Sequence, residues 1–310
     1  MISSQKNMLS TPNTDNYYKN LLEVLYIINE NNDNVPNFSF DLDYIINKII
    51  KIGSKSFCLN LFYQSSLWAQ FDYSHYWTEF QKDVVLSENY RWADIGPYTY
   101  NRSQQGDSSY ISIHQFKTIL SQAPLPNEVS FFLENFVNRQ VSYVIVLEDN
   151  PDKFDQYWSS EKGGVIIIGN VNIKTNSIKE LSLPDSASVC LFGVTIEVIK
   201  DEIITQHQLK IIQFKNWGDR KATTVNNLSK FVDIIYPLVS NNVLFHMHCS
   251  AGIGRAGSVL VALCLKAFTG QENKPTVMEL IFLLRHFRFG LVQTEDQYDM
   301  LIQYEKTLSI

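Results

Sequence analysis

The chain has 310 residues, 45% of them hydrophobic, with 26 Lys and Arg against 32 Asp and Glu, a formal net charge of −6. That supports a substantial core in one large domain or two small ones. The acidic balance and scattered basic residues exclude the footprint of a nucleic-acid binder, and no apolar run reaches the roughly 18 residues of a membrane span. The four cysteines, Cys58, Cys190, Cys249 and Cys264, show no Cys-x2-Cys pairing, which argues against a zinc site or a disulfide framework.

Residues 1–14 are polar and aperiodic and read as a mobile tail; the start of the chain lacks the basic and apolar halves of a secretory signal. Leu21, Leu22, Leu25 and Ile28 recur at helical spacing, as do Leu42, Ile45, Ile46, Ile49 and Ile50. These predict two amphipathic helices joined by an Asn-rich turn, an amino-terminal extension over 1–60 that packs on the domain at 61–310 or docks a partner. Residues 60–82 carry Phe62, Tyr63, Trp68, Phe71, Tyr76, Trp77 and Phe80, an aromatic stripe that reads as helical core. Segment 87–98, SENYRWADIGPY, is turn-rich and ends on a Gly-Pro pair.

A helix is predicted over 127–139. Apolar and β-branched runs at 143–147, 165–168, 189–192, 194–199 and 209–214, each bounded by turn residues, read as strands. With a further strand at 243–245 and helices over 225–238, 258–268 and 275–289, plus one ending near Thr307, the pattern predicts an α/β fold: a large mixed twisted sheet flanked by helices.

The most informative stretch is 248–257, HCSAGIGRAG, between the last strand and a helix. The first-turn N–H groups of a helix lack internal partners, and its dipole adds partial positive charge there. Gly252, Gly254 and Gly257 let such a loop bend with its amides inward, a cradle for a phosphate-sized anion. Five residues separate Cys249 from Arg255, so a loop wrapped round one anion brings thiol and guanidinium to opposite sides of it. Arg255 then offers a planar bidentate donor, and the positive surroundings favour the nucleophilic thiolate. A bare Cys-x5-Arg carries little information, and a lone cysteine is more often a small buried hydrophobe, the reading for Cys58, Cys190 and Cys264. The whole ten-residue string between a strand and a helix is specific.

That string resembles the signature loop of the cysteine-dependent protein-tyrosine phosphatases, in their tyrosine-specific branch, with a bacterial effector-like or viral member among the readings the resemblance leaves open. Further segments resemble the family in the same chain order, so that the likeness spans about 65–308. The resemblance implies that Cys249 attacks phosphorus, that Arg255 with loop residues Ser250, Ala251, Gly252, Ile253 and Gly254 holds the phosphoryl oxygens, and that no metal or organic cofactor is used. It makes 87–98 the phosphotyrosine-recognition loop, with Trp92 as its aromatic wall and Asp94 as the carboxylate that holds the substrate backbone. Residues 110–113 and 122–126 (QAPLP) become segments that cover the sheet. Trp217, Gly218 and Asp219 match the mobile acid loop, with Asp219 the general acid. RHFRFGLVQTEDQ at 285–297 matches the glutamine loop, where Gln293 and Gln297 frame the hydrolytic water, which Gln297 places.

Glu148 is open to two readings, the orienter of Arg255 or a solvated loop charge, and His248 reads as a residue that tunes the loop. Two positions depart from the family pattern. Gly218 stands where the acid loop carries proline, and Ala256 stands where a hydroxyl residue would donate to the thiolate, which predicts slow phosphocysteine breakdown. The implied partners are phosphotyrosine-containing proteins, met in a reducing, cytoplasmic compartment; delivery into a host cell is compatible with the composition and the tail. The rival readings are a phosphotyrosine-binding pseudophosphatase and a dual-specificity or phosphoinositide phosphatase. The uncharged filler 250–253 and Trp92 speak against phosphoinositides, which call for extra basic residues.

Overall fold

A computed structural model describes residues 80–102, 106–271 and 274–308. The tail, both amino-terminal helices, the aromatic run 60–79, Cys58 and the boundary between 1–60 and 61–310 lie outside the described residues. Among the described residues eight strands follow one another as β1 (Ser108–Ile113), β2 (Phe116–Ser121), β3 (Tyr143–Val146), β4 (Val165–Ile168), β5 (Val171–Ser182), β6 (Ser188–Lys200), β7 (Ile203–Lys215) and β8 (Leu244–His248). They form one mixed sheet in the spatial order β1-β2-β8-β3-β7-β6-β5-β4. The helices are α1 (Val129–Asn138), α2 (Val225–Val239), α3 (Gly254–Ala267), α4 (Val277–Arg285) and α5 (Glu295–Thr307). Among the described residues no helix is long and apolar enough to cross a membrane.

Register places the site. β8 runs parallel to both neighbours, with Ser121 of β2 and Val146 of β3 each opposite His248, and β7 runs parallel to β3 with Gln213 opposite Val146. Four strands therefore release their chains at one edge of the sheet, where Gln122, Glu148, Trp217 and Cys249 follow within a few residues. The carboxyl ends of parallel strands are where open α/β sheets hold ligands.

One face of the sheet packs against α1, with Leu133, Phe136, Val144, Val146, Phe192 and Ile211 in its core; the other packs against α2 to α5, with Phe214, Phe231, Val259, Leu263, Leu280 and Leu301. α3 is buried from Gly254 through Leu265, which explains a segment apolar on every side. It begins at Gly254 and not at Ser258, so Arg255 belongs to its first turn.

Four sequence expectations need correction. Residues 110–113 do not cover the sheet: they lie in β1, its edge strand, paired antiparallel with β2, which apolar-run reading misses. The runs 189–192 and 194–199 are one strand, β6, continuous through Gly193; a Cβ there would stand 2.5 Å from Ser177 Oγ. β5 is missed because it buries only Val171, Ile173 and Thr175, while its outer half is exposed or half-buried. α4 is shorter than 275–289: it starts at a capping box made by Thr276 and Glu279 and stops at Arg285.

Candidate active site

The loop between β8 and α3 turns on Gly252, whose φ is +70°. A Cβ there would also fall 2.0 Å from the Ser121 carbonyl oxygen at the end of β2, so both conformation and space demand glycine. Within the turn the Gly252 N–H points at Cys249 Sγ, 3.2 Å away. This amide supplies a donor to the sulfur, the kind of contact missing at Ala256, which is itself buried in the core.

His248 is fully buried. Burial, with the Arg91 and Arg255 charges, lowers its pKa to about 4 against the opposing pull of the Cys249 carbonyl, so the ring is neutral near pH 7. Its Nδ1 lies 3.2 Å from the Cys249 carbonyl and its Nε2 lies 3.0 Å from the Tyr157 hydroxyl. The tautomer that satisfies both donates from Nδ1 and accepts from Tyr157, a brace for the backbone beside the thiol.

Arg255 is 1% exposed and shares an ion pair with Glu148, 2% exposed, at 2.5 Å. Glu148 is thus the orienter of the arginine and not a solvated charge. Arg255 Nη1 also donates to the Trp217 carbonyl at 2.8 Å, and Nη2 reaches Asp219 Oδ1 at 3.1 Å. Burial works against the guanidinium charge, but Cys249, Glu148 and Asp219 outweigh it and hold its pKa above the usual value. The loop of Trp217 and Asp219 is consequently docked on Arg255. Trp217 anchors it, buried and donating from its indole to the Lys221 carbonyl at 2.8 Å. Gly218 lies outside the left-handed region, so this docked loop asks for no conformation that only glycine can adopt.

Asp219 also meets Lys153, whose Nζ is 2.7 Å from Oδ2. Partial burial raises the carboxyl pKa, but the Lys153 hydrogen bond and the Arg255 and Lys153 charges prevail and leave it below the ordinary value. Lys153 Nζ further sits 5.4 Å from the centroid of the Trp92 ring, a cation–π contact. Trp92 donates from its indole to Ser250 Oγ at 3.0 Å, and Asp94 is exposed on the same loop.

The glutamines divide. Gln297 is fully buried; its Oε1 accepts the Gln293 N–H at 2.9 Å and its Nε2 donates to the Lys221 carbonyl at 3.3 Å. Gln293 is half-buried, and both amides face the loop at Gly254: a Cβ added there would be 3.1 Å from Gln293 Oε1 and 3.1 and 3.3 Å from Gln297 Nε2 and Oε1. The bend before it places Val292 at φ 59°, costly for a β-branched residue. Its N–H to Ile253 O at 3.1 Å and its carbonyl to Arg285 Nη2 at 3.0 Å hold it there.

The structure thus gathers Cys249, Arg255, Asp219, Gln293, Gln297, Trp92 and the loop 250–254 at one sheet edge. Sequence reading left Lys153, Arg91, Gln122, Asp107 and Arg288 without roles. Arg91, Gln122 and Arg288 lie inside the segments 87–98, 122–126 and 285–297; nothing local marks Asp107.

A thiol and a buried, carboxylate-held guanidinium thus lie together at the end of a parallel strand, beside the loop of Trp217 and Asp219, on an α/β scaffold. The family model described as "Protein-tyrosine phosphatase" matches residues 86–305, and the chain belongs to the protein-tyrosine phosphatase family. It is 30% identical over 234 residues to human receptor-type tyrosine-protein phosphatase C, covering 69% of this chain and 17% of that protein. It is 23% identical over 260 residues to mouse tyrosine-protein phosphatase non-receptor type 2, covering 73% of this chain and 58% of that protein. Against human tyrosine-protein phosphatase non-receptor type 13 the identity is 27% over 225 residues, 67% of this chain and 9% of the relative. The chain thus spans less than two thirds of the length of each of these relatives.

Proposed function

We propose that the chain hydrolyses phosphotyrosine in proteins through a phosphocysteine intermediate. The observation that carries this reading is Arg255, whose guanidinium is held by Glu148 and reaches Asp219 of the acid loop. In the first step Cys249 Sγ attacks phosphorus in line, the bond to the tyrosyl oxygen breaks, and Asp219 gives that oxygen its proton. Arg255 and the amides of 250–254 hold the equatorial oxygens.

Asp219 is held ionised by Lys153 and Arg255 in the free protein, so it needs help to act as an acid. A phosphate dianion arriving beside it opposes its charge and raises its pKa. Substrate binding therefore arms the acid. In the second step a water attacks the phosphocysteine, Asp219 takes its proton, and the thiolate leaves, stabilised by the Gly252 N–H.

Both glutamine amides lie beside Gly254; the water is assigned to Gln293, because the Gln297 amide is already tied to the Gln293 N–H and the Lys221 carbonyl. Trp92 sets the depth of the cleft and so favours a phosphorylated phenol over the shorter phosphoserine. A working thiolate calls for a reducing, cytoplasmic compartment.

The test is hydrolysis of p-nitrophenyl phosphate and a phosphotyrosine peptide with a chelator present. The parent should turn over both and Cys249→Ser neither. Activity that survives the substitution, or that the chelator removes, overturns the proposal.

A further inference from the structure

Behind the cleft, one carboxylate joins the two loops that shape it. Asp107, with its side chain 5% exposed, faces the fully buried Arg288 and accepts from it twice, Oδ1 from Nη1 at 3.1 Å and Oδ2 from Nη2 at 2.7 Å. Oδ2 also accepts the Gln122 backbone N–H at 2.8 Å. Each partner then grips a different loop. Arg288 donates from Nε to the Gly252 carbonyl at 2.9 Å and from Nη2 to the Ala251 carbonyl at 3.2 Å. The Gln122 amide accepts the Trp92 N–H at 2.7 Å and donates to the Trp92 and Ile95 carbonyls at 3.0 and 2.8 Å.

The contact at Ala251 bears on the chemistry. The Ala251 carbonyl and the Gly252 N–H belong to one planar trans peptide and point in opposite directions. With its oxygen drawn to Arg288, that peptide aims its N–H at Cys249 Sγ, 3.2 Å away. A rotated peptide would withdraw the donor from the sulfur.

We propose that Asp107 is a positioning residue that acts at both ends of this chain of contacts: through Arg288 it aims the Gly252 amide at the nucleophile, and through Gln122 it fixes the height of Trp92 above it. It touches neither substrate nor the reacting atoms. A carboxylate suits the place because it accepts from the guanidinium fork and from a backbone N–H together. Asparagine would turn an NH2 toward one of those donors. The proposal rests on the phosphatase reading for its consequences in turnover, while the effect on the thiol does not require turnover.

Removing Asp107 alone would strand a buried arginine charge and risk the fold. The informative variants are therefore Asp107→Asn and the double substitution Asp107→Ala/Arg288→Met, which removes both charges. Arg288→Lys keeps a charge but loses the fork. Two readouts are taken on folded protein: the pH dependence of Cys249 alkylation by iodoacetamide, and KM and kcat for a phosphotyrosine peptide beside p-nitrophenyl phosphate.

The expected result is an alkylation midpoint shifted to higher pH in all three variants, with peptide KM raised at least fivefold and the KM of the small aryl phosphate raised less. A parent that alkylates but fails to turn over either substrate would sink the phosphatase reading and leave the alkylation shift to judge this one. Unchanged alkylation profiles and unchanged KM ratios, with only the melting temperature lowered, would reduce Asp107 to a structural ion pair and overturn the proposal.

Discussion

Asp219 Oδ1 lies 3.1 Å from Arg255 Nη2, so the proposed acid and the arginine proposed to hold phosphate are in contact before substrate arrives. On the proposed mechanism, this loop is held down by the charge that Asp219 has to give up as an acid. Asp219→Ala should therefore slow a substrate with a poorly acidic leaving group, such as tyrosyl, by roughly 10²- to 10⁴-fold. A strongly acidic phenol, which departs without a proton, should be slowed far less. Equal losses for both, measured as kcat across a series of aryl phosphates, would assign Asp219 to loop structure alone.

The same contacts predict how the free protein responds to acid. The Asp219 pKa is depressed below its ordinary value of 3.8, so its ion pairs contribute stability that is complete above the unfolded value. That contribution is lost as pH falls through the lower folded value. Below about pH 4, the ordinary carboxylate range, the urea midpoint of the parent should fall more steeply than that of Asp219→Asn, which has no such charge to lose. Parallel slopes for the two proteins would contradict the depressed pKa.

The two glutamines should separate in kinetics. Gln293→Ala should leave the burst of phenol release intact and slow the steady state, because it removes the group assigned to the water. Gln297→Ala should lower stability by about 1–3 kcal/mol, the cost of leaving buried partners unsatisfied, and loosen the acid loop through the Lys221 carbonyl. Rapid-mixing kinetics with thermal melts on both variants distinguishes these; a reversed pattern would return the water to Gln297.

Trp92→Phe keeps an aromatic wall, loses the indole donor to Ser250 and offers Lys153 a weaker cation–π face. A hydrogen bond of that kind is worth about 0.5–1.5 kcal/mol, so peptide KM should rise by roughly two- to twelvefold. Trp92→Ala should in addition narrow the preference for phosphotyrosine over phosphoserine peptides. If the parent hydrolyses both at equal rates, depth of the cleft is not what selects.

Cys249 and Arg255 were legible as candidates in the sequence because their spacing is local: five intervening residues and three glycines, between an apolar run and a helix, already dictate a tight loop, which the Gly252 turn realises. Asp219 and the glutamines were legible through chain order, as was the α/β class through its alternating apolar runs. Tertiary structure decided the rest. Glu148 reaches Arg255 across 107 positions of sequence, Lys153 reaches Asp219 across 66, and Arg288 reaches Asp107 across 181. No periodicity links residues that far apart. They meet because parallel strands in one register release their chains at the same edge, and because desolvation there leaves a buried arginine stable only beside a carboxylate. A charge in the sequence reads as solvated until the fold shows which other charge shares its burial.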